Sequence, residues 1–202
     1  MGTPPPDPGS AIDLYWLPLG AGGHFVRANG RLFEAVTAVI QRRRPDALYH
    51  SALEVHSDGR RFVIEQAPVR DDLGGSRGVV AEGPVGARRA GRIRLFRYEI
   101  RRWEGGSIPD ADDAVESPAR LTADPVLSRR LLEIVPSVPT PVWGRDELRA
   151  GEMWNSNSIV AWLLASSGVD CALIAPPSGG RAPGWSAGLA VAGRRTGQWA
   201  DP

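Results

Sequence analysis

The segment Tyr49-His50-Ser51-Ala52-Leu53-Glu54-Val55-His56-Ser57-Asp58-Gly59-Arg60-Arg61-Phe62-Val63-Ile64-Glu65-Gln66-Ala67 reads as a β-hairpin. Ala47–His56 and Arg60–Ala67 are strand-like, and Asp58-Gly59 is a strong two-residue turn signal. Side chains alternate along a strand. His50, Ala52, Glu54 and His56 therefore share one face, and Ser51, Leu53 and Val55 the other. With the turn at Asp58-Gly59, residue i pairs with residue 117 − i. Glu65 then lies opposite Ala52 and diagonal to His50. A carboxylate beside a histidine can orient the ring and raise its basicity. The plainer reading is a half-exposed histidine beside a solvated glutamate.

Working outward, Leu14–Leu19 is a short strand followed by Gly20-Ala-Gly-Gly23. Leu32, Phe33, Val36, Val39 and Ile40 recur at helical spacing, which predicts a helix over Arg31–Arg43. Asp71–Ala90 reads as a long Gly/Arg loop, Ile93–Trp103 as a strand, and Asp110–Ser117 as a short acidic helix. Asp124-Pro125 is an N-cap followed by proline at the first helical position, opening a helix to about Val135. Pro136–Pro141 is extended chain and Glu147–Glu152 a turn of helix. Ser158–Ser166 is the most apolar helix, stopped by Gly168. Val169–Ile174 reads as a buried strand and Gly188–Gly193 as a last strand. Helices mixed with antiparallel hairpins give an α+β class, a small antiparallel sheet packed on a central helix.

Composition narrows the field. Among 202 residues, Gly (24) and Pro (18) are rich, which points to short elements and many turns. The length and the 42% hydrophobic content suit one domain, expected over 12–196, with a disordered proline-rich tail at 1–11 and a second tail at 197–202. A net charge of +1 gives no bulk argument for nucleic acid. All 24 cationic side chains are arginine, as a GC-rich coding bias produces; lysine nucleophiles and Schiff bases are excluded. One cysteine excludes an intrachain disulfide, and with three histidines leaves no Cys/His zinc set. No signal peptide or membrane-length apolar run is visible, so a cytoplasmic protein without membrane association is the expectation.

The second chemistry-bearing block is Trp154-Asn155-Ser156-Asn157-Ser158-Ile159-Val160-Ala161-Trp162-Leu163-Leu164. Small polar residues at a helix start cap its free backbone donors. The functional alternative is a nucleophile at the positive end of the helix dipole, where an anion is stabilised.

Together the two blocks resemble the circularly permuted papain-like superfamily, which includes PPPDE peptidases and the lecithin retinol acyltransferase group. In these a histidine on a strand of a small sheet precedes an Asn-Cys-Asn segment that opens the central helix. The resemblance covers roughly 47–67 and 150–168, and the cysteine position holds Ser156. It implies a hydrolase or acyltransferase acting on an amide, ester or thioester. His50 would deprotonate Ser156, with Glu65 as orienter and Gln66 and His56 in reserve. Backbone donors around Ser156 and Asn157 would hold the oxyanion, assisted by Asn155, and Trp154 would wall the groove. Peptide or acyl-bearing small molecules are the implied partners, with no metal and no organic cofactor. Loss of the cysteine leaves two alternatives: a non-catalytic protein binding through the same cleft, or His50 acting as acid or base without a covalent intermediate.

Other residues carry weaker signals. Cys171 reads as a buried, inert thiol and His24 as a loop histidine. Asp110, Asp112, Asp113 and Glu116 read as a solvated face. Arg92, Arg94, Arg97 and Arg101 are a candidate local anion patch.

Overall fold

The computed structural model describes residues 9–19, 47–69 and 78–196. The class is α+β. Strands β1 (Ala11–Pro18), β2 (Ala47–Ser57), β3 (Arg60–Pro68), β4 (Val79–Pro84), β5 (Arg97–Glu104) and β6 (Val115–Thr122) form an antiparallel sheet in the order β4-β5-β3-β2-β1-β6. A two-residue β7 (Gly180–Arg181) pairs in parallel with Ala47 and Leu48. Helices α1 (Pro125–Ile134), α2 (Ser156–Ser167) and α3 (Trp185–Thr196) complete the described elements. No helix among the described residues is long and apolar enough to cross a membrane.

The hairpin forms in the expected register, Ser57↔Arg60 through Leu53↔Ile64. Asp58 (φ 52°) and Gly59 (φ 73°) are both left-handed, the geometry whose twist matches a tight hairpin. The β2–β3 pairing ends at Leu53, while β3 runs on against β5 to Pro68↔Tyr98. The N-terminal half of β2 is instead held by β1, with Trp16 opposite Ser51 and Leu17 opposite His50.

Alternation then separates two cores. Ile12, Leu14, Trp16, Leu53, Val55, Ile64 and Ile100 point to the helices, where they meet α2 and Leu131 of α1. Helix α2 is buried nearly all round because the sheet, α1 and α3 all pack on it. The opposite face carries a smaller cluster, Leu17, Ala52, Val63 and Ile108. It also buries Asp13, Glu65, Glu99 and Arg101, which are paired as buried charges must be.

Several expectations are corrected. Ser10 and Ala11 are buried and Ala11 pairs with His56, so the domain begins before residue 12. Strand β4 lies inside the expected 71–90 loop, and β6 follows a single 3₁₀ turn at Ala111–Asp113 where a helix was expected. Polar and proline content hid β6; as an edge strand it tolerates Pro118. Ile93–Phe96 is not strand but the tail of two 3₁₀ turns, and β5 starts at Arg97. Residues 147–152 make turns without helix. Residues 169–174 are loop, with Leu173 95% exposed, because Gly168 (φ 97°) ends α2 and no strand edge among the described residues receives them. The small residues over 188–193 lie on α3, not on a strand. A Cβ on Gly188 would sit 2.2 Å from the Ser158 carbonyl oxygen, so the glycine admits close contact between α3 and α2. The helix expected over 31–43, His24, and the segments 1–8 and 197–202 lie outside the described residues.

Alanine ordinarily stabilises a helix interior relative to glycine by roughly 0.5–1 kcal/mol. At position 188 the sign is expected to reverse. Gly188→Ala should lose about 1–3 kcal/mol in urea unfolding through overpacking against Ser158.

Candidate functional site

The start of α2 is a dense polar clasp. Asn155 is the N-cap, and its Oδ1 accepts from the Asn157 (2.9 Å) and Ser158 (3.3 Å) backbone N–H groups. Ser158 Oγ accepts from the Asn155 N–H at 3.1 Å, closing a capping box, and donates to the Gly184 carbonyl at 2.7 Å. Asn155 Nδ2 donates to the Pro183 carbonyl at 2.8 Å. Asn157 is buried and fully used. Its Oδ1 accepts from Ser51 Oγ (2.9 Å), and its Nδ2 donates to the carbonyls of Tyr49 (3.0 Å) and Pro183 (2.9 Å). Gly184 is left-handed (φ +86°), and a Cβ there would sit 2.6 Å from Asn155 Oδ1 and from Ser158 Oγ. Only glycine fits. Trp154 is 1% exposed and belongs to the core, so it does not wall a groove.

Ser156 stands at the first helical position, half-buried, and its hydroxyl has no hydrogen-bond partner among the described residues. The two blocks that carry the papain-like resemblance do meet, through Asn157, which bonds the Tyr49 carbonyl and the Ser51 hydroxyl on either side of His50. The intended triad does not assemble. His50 lies opposite Leu17 and shares a face with Ala52, both in the core on the side of the sheet away from α2. The strand residue that reaches α2 is Ser51. One signal for it was present in the sequence: a serine on the apolar Leu53/Val55 face has to find a partner when buried.

Glu65 is also committed elsewhere. It is buried and pairs with Arg101 at 2.9 Å; Arg101 also binds Glu99. The reserves are no closer to the role. His56 bonds Glu54 at 2.8 Å, and Gln66 sits opposite Ile100 on the α2 side of the sheet. Of the supposed oxyanion donors, the Asn157 N–H and the Asn155 amide are taken by the clasp.

Burial pushes the His50 imidazole down from 6.5 to about 4, against a smaller upward pull from the Asp110 carboxylate. The ring is neutral at neutral pH, and charging it as a base is disfavoured. Burial, with help from Asp170, pushes the Cys171 thiol up to about 11, leaving it unreactive in a loop.

Sequence reasoning missed one cluster. Asp13, Glu54 and His56 bring a ligand atom each to within 4.8 Å of one another, the only such group among the described residues. The carboxylates are already neutralised. Arg120 forks onto Asp13, and Arg61 donates to Glu54 at 2.8 Å. Burial opposes ionisation of Glu54, but the His56 and Arg61 hydrogen bonds hold its pKa below the usual value. A cation would meet two guanidinium groups, so the cluster is built as an ion-pair network. The expected arginine patch is likewise divided: Arg97 pairs with Glu82, and Arg101 is buried with Glu65 and Glu99.

No protein-family model, curated protein or solved structure matches the chain.

Since His50 has a folded pKa near 4 and an unfolded value near 6.5, the unfolded chain binds the proton first as pH falls. Stability from this group is complete above about 6.5 and declines as pH drops through 4, by about 3 kcal/mol in all. His50→Gln is expected to flatten that segment of the stability–pH curve, measured by urea unfolding at successive pH values.

Proposed function

We propose that this chain is a non-catalytic binding protein on a permuted papain-like scaffold, taking a peptide or acyl-bearing partner beside Ser156. The observation that carries this reading is the fate of the polar groups at the start of α2. The Asn155 and Asn157 side chains and the Asn157 N–H are spent on the fold. The base expected for Ser156 sits on the other face of the sheet. What remains open is one half-buried hydroxyl on a rigidly held helix end. It is suited to receive a carbonyl by hydrogen bond rather than to attack it. The scaffold assignment draws support from the contact between the histidine block and the Asn-Ser-Asn block.

The catalytic alternative, an acyl-serine hydrolase or acyltransferase, keeps the support of that same unpaired hydroxyl. It requires the His50 ring to come within hydrogen-bond reach of Ser156, on the α2 side.

Intact mass after incubation with a fluorophosphonate separates the two. The native protein is expected to take no adduct. An adduct that vanishes in both Ser156→Ala and His50→Ala would overturn the binding reading. In parallel, peptides with and without an N-acyl group are expected to raise the melting midpoint of the native protein more than that of Ser156→Ala. Equal response would move the binding surface away from Ser156.

A further inference from the structure

The segment Arg88-Arg89-Ala90-Gly91-Arg92-Ile93-Arg94-Leu95-Phe96-Arg97 joins β4 to β5 and contains five arginines and no acid. It is well built. The Ile93 and Phe96 N–H groups close its 3₁₀ turns on the carbonyls of Ala90 (2.9 Å) and Ile93 (3.0 Å). The Val85 N–H binds the Phe96 carbonyl at 2.8 Å, and Arg97 Nε binds the Gly91 carbonyl at 2.7 Å. Gly91 is buried so tightly on Pro84 that a Cβ would lie 2.7 Å from the proline ring. Yet this fixed segment holds Ile93, Leu95 and Phe96 in solvent at 59%, 76% and 43% exposure. Trp143, 42% exposed, is joined to the end of β4, donating its N–H to the Pro84 carbonyl and bridging to Val85. A groove of about 290 Å³ shares Pro84 with this segment and is lined also by Pro139, Pro141, Leu148 and the Arg88–Glu147 pair.

Apolar side chains held in solvent by an ordered segment mark an interaction surface. Its charge selects the partner. Arg88 and Arg97 already bind carboxylates of their own chain, Glu147 and Glu82, each at 2.9 Å. Arg89 and Arg92 offer the same group in solvent, and neither has an ion-pair partner among the described residues. Knobs beside a groove fit side chains of a polypeptide better than they fit a flat bilayer.

We propose that this face docks an acidic segment of a partner protein, its apolar side chains against Ile93, Leu95, Phe96 and Trp143 and its carboxylates on Arg89 and Arg92. None of these residues belongs to the clasp around Ser156. The test is fluorescence anisotropy with a fluorescein-labelled peptide of alternating glutamate and leucine, titrated with the whole protein. An alternating lysine–leucine peptide and phosphatidylserine/phosphatidylcholine vesicles run beside it. The expected result is saturable binding of the acidic peptide that weakens with added salt. It should weaken by about tenfold or more in Leu95→Asp and in the Arg89→Glu/Arg92→Glu pair. Both sites are exposed, and unchanged melting curves would show that these variants fold. Absence of binding, equal binding of the lysine peptide, or binding unaffected by the variants would overturn the proposal. So would association with the anionic vesicles alone.

Discussion

The Asn157 side chain is the constraint on which the architecture around α2 depends. One buried amide links three separate parts of the chain: helix α2, strand β2 at Tyr49 and Ser51, and the Pro183-Gly184 turn that leads into α3. Each partner is a polar group inside an apolar setting. Removing the amide would strand several buried hydrogen-bonding atoms together, each costing about 1–3 kcal/mol. The clasp therefore sets where α2 begins, how it lies on the sheet, and where α3 departs. Gly184 and Gly188 complete it by keeping Cβ atoms out of the two closest approaches.

A parity argument follows from the same contact. In a strand, adjacent residues serve opposite faces. Because Ser51 faces Asn157, His50 faces the smaller core with Leu17 and Ala52. There burial keeps its ring neutral, near the Asp110 carboxylate. That face is organised by the buried ion triad Glu65–Arg101–Glu99 and by Asp13, buried but paired to the exposed Arg120, with Arg61–Glu54–His56 beside them. Buried pairs of this kind specify geometry more than they add stability. They tie β3 to β5 and β1 to β6 in register.

Much of the fold was legible because local chemistry agreed with the tertiary result. Asp58-Gly59 set the hairpin and its register, Asp124-Pro125 opened α1, and Gly168 closed α2. The capping reading of Asn155 and Ser158 was equally legible, from residue type alone. What failed needed long-range information. Small residues over 188–193 looked like strand because their purpose, contact with α2, is invisible from within the segment. Edge strand β6 has little apolar content to reveal it. At the site the two blocks meet through Asn157 and Ser51, not through His50 and Ser156: a strand motif places a histidine in sequence, while its face depends on what β1 and α2 do elsewhere. Glu65 was read from the hairpin alone, and β5 supplied it with Arg101.

The most direct measurement is a pair of double-mutant cycles by urea unfolding, one on Ser51→Ala with Asn157→Ala, the other on His50→Ala with Ser156→Ala. If the clasp organises α2 and His50 faces away from it, the first pair couples by about 1 kcal/mol or more and the second by close to zero. Strong coupling between His50 and Ser156, with none between Ser51 and Asn157, would contradict the structure of the site and restore the nucleophile–base pair.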